Sequence, residues 1–451
     1  MREYFTSCVD FLPLLKIRVI NFYVRIMLLR VSISNFLSFY DEITFDMFPS
    51  RQRKGLMNHV YTSEAIPVLK MGAIYGANNA GKSNFIKAIK FIRNFVLRDK
   101  FITEDFYDNL RYKLVKESNR PIKIELEFSC FGNYYVYSLS LDRKLHEKLA
   151  LSGLGEKDDE IIFKRDGSVL LGENISSKDI VEDFLKKNPY SSILSLNVRF
   201  PIIHSPFVED VYTWFNDYLE VIGIYSSVSD LIKMMSQNHT LLDFSDRMMK
   251  LLDISDSLSI KQTDLEQWLN SSRGKTFQNM PSIPDGDGEL MASKNKRNEF
   301  HLISKDGKRK VLEFVFKQIG PEGKFIDMDI DTQSDGTVRL LTLLPAFYSV
   351  INKEKVVFID EIENSMHPNM IYRLVKYFAD NTSKGQLVFT THLTRFLNQQ
   401  ELMRVDEMWK TEKNNGMTLL SSFNDFKIHN TINVENGYLL GRFGGVPSID
   451  L

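Results

Sequence analysis

The run Gly76-Ala77-Asn78-Asn79-Ala80-Gly81-Lys82-Ser83 has the spacing G-x-x-x-x-G-K-S. Each residue type in it meets one demand of holding a polyphosphate. The glycines let backbone N–H groups curl around phosphate oxygens, Lys82 carries charge to the β and γ phosphates, and Ser83 offers its hydroxyl to Mg²⁺. Asn84 continues into a predicted helix, whose N-terminal dipole favours an anion. A fortuitous glycine turn of this pattern would arise in on the order of one in a hundred chains of such length, given ordinary glycine usage.

Three further patterns would complete a site. Val356-Val357-Phe358-Ile359 is an apolar run ending in Asp360 and Glu361, as expected of a buried strand that delivers two carboxylates to the edge of an open α/β sheet. Asp360 would hold Mg²⁺ through water, and Glu361 would act as general base toward an attacking water. Charged strand ends are common, so the pair alone has an ordinary structural reading. Gln386 to Thr391 is a second buried strand, and His392 after it would donate a hydrogen bond to a γ-phosphate. A lone histidine is ordinarily a solvated or capping residue; its place one strand after the acidic pair favours the phosphate-sensing role. Ser334-Asp335-Gly336-Thr337 opens a largely apolar helix. Ser334 or Asp335 is a natural N-cap and Gly336 permits close backbone approach, so Ser334 and Gly336 could receive a phosphate, although many helices start this way.

These residues need a scaffold. Leu28 to Phe36 reads as a strand, and Leu69 to Tyr75 as a buried strand running into the glycine loop. Residues 82–96 form a predicted helix with Phe85, Ile86, Ile89 and Ile92 on one face. Period-two alternation through Ile122, Ile124, Leu126 and Phe128 to Leu141 predicts an antiparallel hairpin closed near Gly132 and Asn133. Residues 178–275 read mostly helical without sustained heptads, which predicts a compact insert rather than a coiled-coil arm. Residues 280–298, with Pro281, Pro284, Gly286 and Gly288, have the composition of a mobile loop. Strands at 299–304 and 310–317, a helix from about 336, a strand at 355–360, a helix from 368 and a strand at 386–391 then give an α/β alternation that implies a parallel sheet. The expected organisation is an N-terminal extension (1–26), the first half of a nucleotide head with an antiparallel β subdomain (27–175), a mainly helical insert with its loop (176–298), and the second half of the head (299–451). The fold class is α/β, a mixed-sheet core plus that β subdomain, split by the insert.

A chain of 451 residues is expected to form two or three lobes. Its 57 Lys plus Arg balance 58 Asp plus Glu, so no global charge draws it to nucleic acid or lipid, and a nucleic-acid contact would rest on a local patch. No apolar stretch reaches the roughly 18 residues of a membrane span. The only cysteines, Cys8 and Cys130, can build neither a disulfide framework nor a Cys-rich metal site, which suits a reducing cytoplasm. Residues 1–26 mix Phe11, Leu12, Leu14 and Leu15 with Lys16, Arg18 and Arg25. They make a poor signal peptide; Met27 opens a clean strand and could be the natural start, and residues 1–26 are expected to be a peripheral helix or an upstream-start artefact.

In order, the four motifs resemble an ABC-type ATPase: phosphate loop, signature before a helix, acidic strand, switch histidine. The details resemble the overcoming-lysogenization-defect-like and RloA-like abortive-infection ATPases of bacterial phage defence. The likeness rests on Asn35-Phe36-Leu37-Ser38-Phe39, Ser334-Asp335-Gly336-Thr337, Asp360-Glu361-Ile362-Glu363-Asn364-Ser365-Met366-His367-Pro368 and Thr390-Thr391-His392. It rests also on the tail, Met408 to Lys413 and Gly437 to Pro447. It implies an ATP- and Mg²⁺-dependent head-to-tail homodimer or higher assembly, each site combining the loop of one chain with Ser334 and Gly336 of the other. Glu363 to His367 would line the dimer seam. Gln333 stands where the group often has Glu, and no glutamine loop is evident. The short stretch after His392 leaves no room for the nuclease fused behind the head in some relatives, so a separately encoded effector, TOPRIM-type or another nuclease, is the expected partner.

Lys294, Lys296, Arg297, Lys305, Lys308, Arg309 and Lys310 cluster around a predicted hairpin; they suit a solvated surface better than a phosphate-backbone grip, but a DNA-repair or chromosome-maintenance clamp would use them so. Asp285, Asp287 and Glu289 do not complete a calcium loop, and Trp214 and Phe215 are expected in a core. A non-catalytic nucleotide-locked scaffold is the third reading. A transporter motor is disfavoured by the absence of a coupling region or membrane segment.

Overall fold

The structure, a computed structural model, describes residues 26–446 except 63–65, 99–100, 104, 117–118, 173–174, 176–177, 200–204, 224–226, 272, 277–287, 294–298, 382, 398–401, 427 and 429–432. The expected extension therefore lies outside the described residues apart from Ile26. The same holds for Cys8, Lys294, Lys296, Arg297, Asp285, Asp287 and Pro447. The chain forms two compact units: residues 1–221, 354–358 and 385–451, and residues 222–353 and 359–384. The divisions read along the sequence at 175 and 298 are not those of the units, because core continuity depends on three-dimensional packing and the chain passes between the units several times.

The first unit carries two large sheets and a two-stranded one. One is antiparallel with seven strands, in the order Ser168–Leu171, Glu160–Asp166, Leu145–Leu151, Asn133–Leu141, Ile122–Cys130, Met27–Ser34, Ile43–Asp46. The predicted hairpin is its centre: Cys130 pairs with Asn133 around the Phe131-Gly132 turn, and Ile124, Leu126 and Phe128 point into the core as the alternation required. The other sheet has six strands, in the order Leu219–Ile222, Val356–Ile359, Gln386–Thr390, Met71–Tyr75, Met408–Asn414, Met417–Ser422. Met71–Tyr75 pairs in parallel with both neighbours. Its flanks explain the continuous apolar run, since all five residues are buried. The expected strand from Leu69 is interrupted at Lys70: Val68–Leu69 pairs separately with Val60–Tyr61. Buried Gln386 ties the sheets together, accepting from Leu28 N–H (2.6 Å) and donating to the carbonyls of Leu28 (3.1 Å) and Leu69 (2.9 Å). Helix Lys82–Leu97 packs Phe85, Ile86, Ile89 and Ile92 into the same core. Trp214 and Phe215, in a π turn after helix Pro206–Thr213, are fully buried, and the Trp214 ring stacks 4.0 Å from that of Phe128.

The second unit is built on an antiparallel sheet in the order Ser257–Asp264, Lys308–Ile319, Glu299–Lys305, Gly288–Ser293, with Phe325–Asp329 also pairing with Lys308–Ile319. Of the loop expected across 280–298, residues 280–287 and 294–298 lie outside the described residues, while Gly288–Ser293 is a strand, its pairing with Glu299–Lys305 overriding a weak local preference for strand. The region expected to be mainly helical holds helices Val228–Gln237, His239–Leu251 and Leu265–Leu269 but also strands, Ser257–Asp264 among them. Helices Asp335–Asn352 and Pro368–Asp380 complete the unit. Among the described residues no helix is long and apolar enough to cross a membrane.

Candidate functional site

The phosphate loop leaves the end of strand Met71–Tyr75 and enters helix Lys82–Leu97. Gly81, at φ 105°, makes the turn into the helix. A Cβ there would strike Thr418 and come 3.0 Å from Ser38 Oγ, so both conformation and space require glycine. Thr418 Oγ1 donates to the Ala80 carbonyl (3.0 Å) and sits 2.8 Å from Ser38 Oγ, which accepts from Asn84 Nδ2 (2.8 Å). Thus Ser38, of the motif Asn35 to Phe39, and Thr418 brace the loop from outside. Lys82 is buried, and its ammonium donates to the carbonyls of Gly76 (2.8 Å) and Ala77 (3.0 Å). A buried cation held by the carbonyls of its own loop fits a site whose proper counter-ion is a phosphate. Asn78 and Asn79 are exposed at the tip, while Ser83 and Asn84 are half-buried at the helix start.

Strand Gln386–Thr390 runs parallel to Met71–Tyr75 with Thr390 opposite Ile74, and Thr391 N–H donates to the Ile74 carbonyl (3.1 Å). The chain therefore reaches exposed His392 at the sheet edge from which the loop emerges. Parallel pairing is what delivers two distant segments to one carboxyl-end edge. Within the first unit, the structure brings together residues Gly76 to Asn84 and His392.

The second unit holds the remaining candidates. Ser334 caps helix Asp335–Asn352, its Oγ accepting from Thr337 N–H (3.1 Å). Asp360 and Glu361 begin a tight turn in which Asn364 N–H donates to the Glu361 carbonyl (3.0 Å) and Met366 N–H to that of Glu363 (2.9 Å). Glu361 sits at φ 46° and Ser365 at 61°, left-handed conformations that are uncommon for such residues and concentrate where a side chain must be aimed. Gly336 lies so close to this turn that a Cβ would be 2.8 Å from the Ser365 carbonyl oxygen. The signature helix and acidic turn are thus packed backbone to backbone.

Arg339 joins them. It is buried, and its guanidinium donates to the carbonyls of Gly223 (2.9 Å) and Asp360 (3.3 Å). Burial lowers its pKa, and the nearby Asp360, Glu361 and Glu363 oppose that shift by favouring the charged form. Reading of the sequence assigned Arg339 no role. The available signal was a single arginine in the apolar run Val338 to Leu344. Among the described residues no group of three or more His, Cys, Asp or Glu could hold a metal ion.

A family model described as "AAA domain, putative AbiEii toxin, Type IV TA system" matches residues 73–398, which include all four motifs. A Helicobacter pylori (strain ATCC 700392 / 26695) protein described as "ATP/GTP phosphatase" is 23% identical over 353 residues, covering 73% of this chain and 80% of its own length. Solved structures similar to the chain include the SMC head domain from Thermotoga maritima (TM-score 0.40, 14% identity, 88% of this chain and 98% of that one) and an SMC head bound to the C-terminal winged-helix domain of ScpA (0.43, 13%, 88% and 98%). The chain belongs to the family described as AAA domain, putative AbiEii toxin, type IV toxin–antitoxin system, and is a P-loop ATPase.

Proposed function

We propose that the chain is an ABC-type, Mg²⁺-dependent ATP hydrolase that assembles head to tail, as a homodimer or higher, and gates a separately encoded effector in bacterial anti-phage defence. The observation that carries this reading is the parallel pairing of Met71–Tyr75 with Gln386–Thr390, which sets the phosphate loop and His392 on one edge. In this reading Lys82 and the amides of Gly76 to Asn84 bind the phosphates, and His392 senses the last of them. Glu361 orients and deprotonates the attacking water, while Ser83 and Asp360 would hold Mg²⁺. Bound magnesium would neutralise charge developing on the phosphate oxygens. Ser334 and Gly336 would meet the nucleotide of a second copy, and release of phosphate would loosen the pair. The toxin–antitoxin description of the family and the phosphatase description of the relative support an effector-linked hydrolase. The resemblance to the overcoming-lysogenization-defect-like and RloA-like group supports a nuclease, TOPRIM-type or other, as that effector, and a cytoplasmic setting.

Lys82→Ala should abolish nucleotide binding, measured calorimetrically, and Glu361→Gln should trap a nucleotide-bound dimer with turnover lowered by about 10²-fold or more. Normal turnover by the glutamine variant would remove Glu361 from the mechanism. A second reading, a DNA-binding clamp, is favoured by exposed Lys305 and Lys308 at a hairpin tip. Salt-dependent DNA binding lost on neutralising residues 305–310 would support it.

A further inference from the structure

The tail motif has no part in the mechanism above, yet it touches the phosphate loop. Gly445 offers its carbonyl to two donors, Ala77 N–H at 3.1 Å and the Tyr438 hydroxyl at 3.0 Å. Its own N–H donates to Glu412 Oε2 (3.1 Å), the oxygen that also receives the buried Lys410 ammonium (3.0 Å). Gly444 and Gly445 stand at φ 73° and 75°, and a Cβ on Gly444 would strike Glu412. Only glycine lets this segment lie flat against the Lys410–Glu412 pair. Tyr438 packs against Tyr75, the residue before the loop, and against Phe423, which in turn meets Phe443. Burial pushes the Tyr438 phenol up to about 12, so it stays a donor at physiological pH. At its other end, helix Val434–Leu439 receives a bond from Thr394 Oγ1 to Glu435 Oε1 (2.8 Å), two residues after His392.

We infer that the tail segment 434–446 is a positioning element of the nucleotide site, with Gly445, Tyr438 and Glu412 fixing the entry of the phosphate loop and Glu435 fixing the segment that follows His392. This rests on the reading of Gly76 to Ser83 as the phosphate loop. The tail engages Ala77, the second residue of the loop, ahead of the turn into the helix. Because the same short segment holds both strand exits, it sets their spacing before any nucleotide arrives. An element of this kind acts through pre-organisation: its removal lets the loop sample other shapes and weakens the fraction competent to bind.

The test uses the full-length, nucleotide-free protein. Hydrogen exchange is followed for peptides covering 76–81 and 391–397, alongside affinity for a fluorescent ATP analogue, in wild type, Tyr438→Phe, Gly445→Ala and Glu435→Gln. Tyr438→Phe and Gly445→Ala should speed exchange in 76–81 and weaken nucleotide affinity by about tenfold, the scale of one well-placed hydrogen bond. Glu435→Gln should speed exchange mainly in 391–397. Exchange and affinity within about twofold of wild type in both Tyr438→Phe and Gly445→Ala would overturn the inference. If Lys82→Ala loses nucleotide under those conditions, only the tail's role fails. If Lys82→Ala binds normally, the reading of the loop itself fails.

Discussion

Replacing Gly336 by alanine sets two effects of opposite sign against each other. Gly336 is the second residue of helix Asp335–Asn352, and alanine in a helix interior is favoured over glycine by about 1 kcal/mol, less in a first turn. Against this, the added Cβ would sit 2.8 Å from the Ser365 carbonyl oxygen, closer than such atoms approach in folded proteins. The obstacle is backbone, and it belongs to a turn already strained at Glu361 and Ser365, so it cannot swing aside as a side chain would. Overpacking of this kind costs about 1–3 kcal/mol, which leaves a net loss of about 1–2 kcal/mol after the helix term. For a unit of this size the melting temperature should fall by about 2–8 °C. The displaced turn carries Glu361, so ATP turnover should drop by about tenfold, equivalent to about 1.4 kcal/mol in the barrier, with nucleotide affinity at the phosphate loop little changed. Thermal unfolding and steady-state phosphate release measure the two. A variant melting higher than wild type, with normal turnover, would show that the helix start is not wedged against the acidic turn.

Arg339→Met keeps the length of the side chain but removes two charge-assisted bonds and the positive charge beside Asp360, Glu361 and Glu363. Breaking a buried charged link costs about 3–5 kcal/mol, so the variant should melt well below wild type, and a change under about 2 °C would refute the link. Glu147 offers a pH test. It is buried, accepting from Tyr137 OH, Ser192 Oγ and Ile193 N–H. Burial raises its pKa above the ordinary 4.5, against the lowering effect of those bonds. The folded state therefore holds the proton more tightly than the unfolded chain, and its contribution is full below 4.5 and lost as pH rises through the folded value. Urea midpoints between about pH 5 and 8 should decline more for wild type than for Glu147→Gln, and parallel curves would refute it.

The sequence alone made most of the buried strands and the candidate loop legible. Apolar runs at Met71–Tyr75, Val356–Ile359 and Gln386–Thr390 announced buried strands, and the spacing from Gly76 to Ser83 pointed to a phosphate ligand, because periodicity and backbone permissiveness are local properties. Strand Gly288–Ser293 was hidden, since its pairing with Glu299–Lys305 outweighs the Gly, Ser and Asp around it. Which strands would be neighbours, the left-handed aim of Glu361, the role of Arg339 and the bond from Ala77 to Gly445 were decided only by tertiary structure. These features rest on backbone carbonyls, backbone angles and pairings between distant segments, none of which leaves a mark on residue type that a pattern can register. A lone arginine in an apolar helix or a pair of glycines near a tail shows that something is accommodated, and only the packed chain shows what.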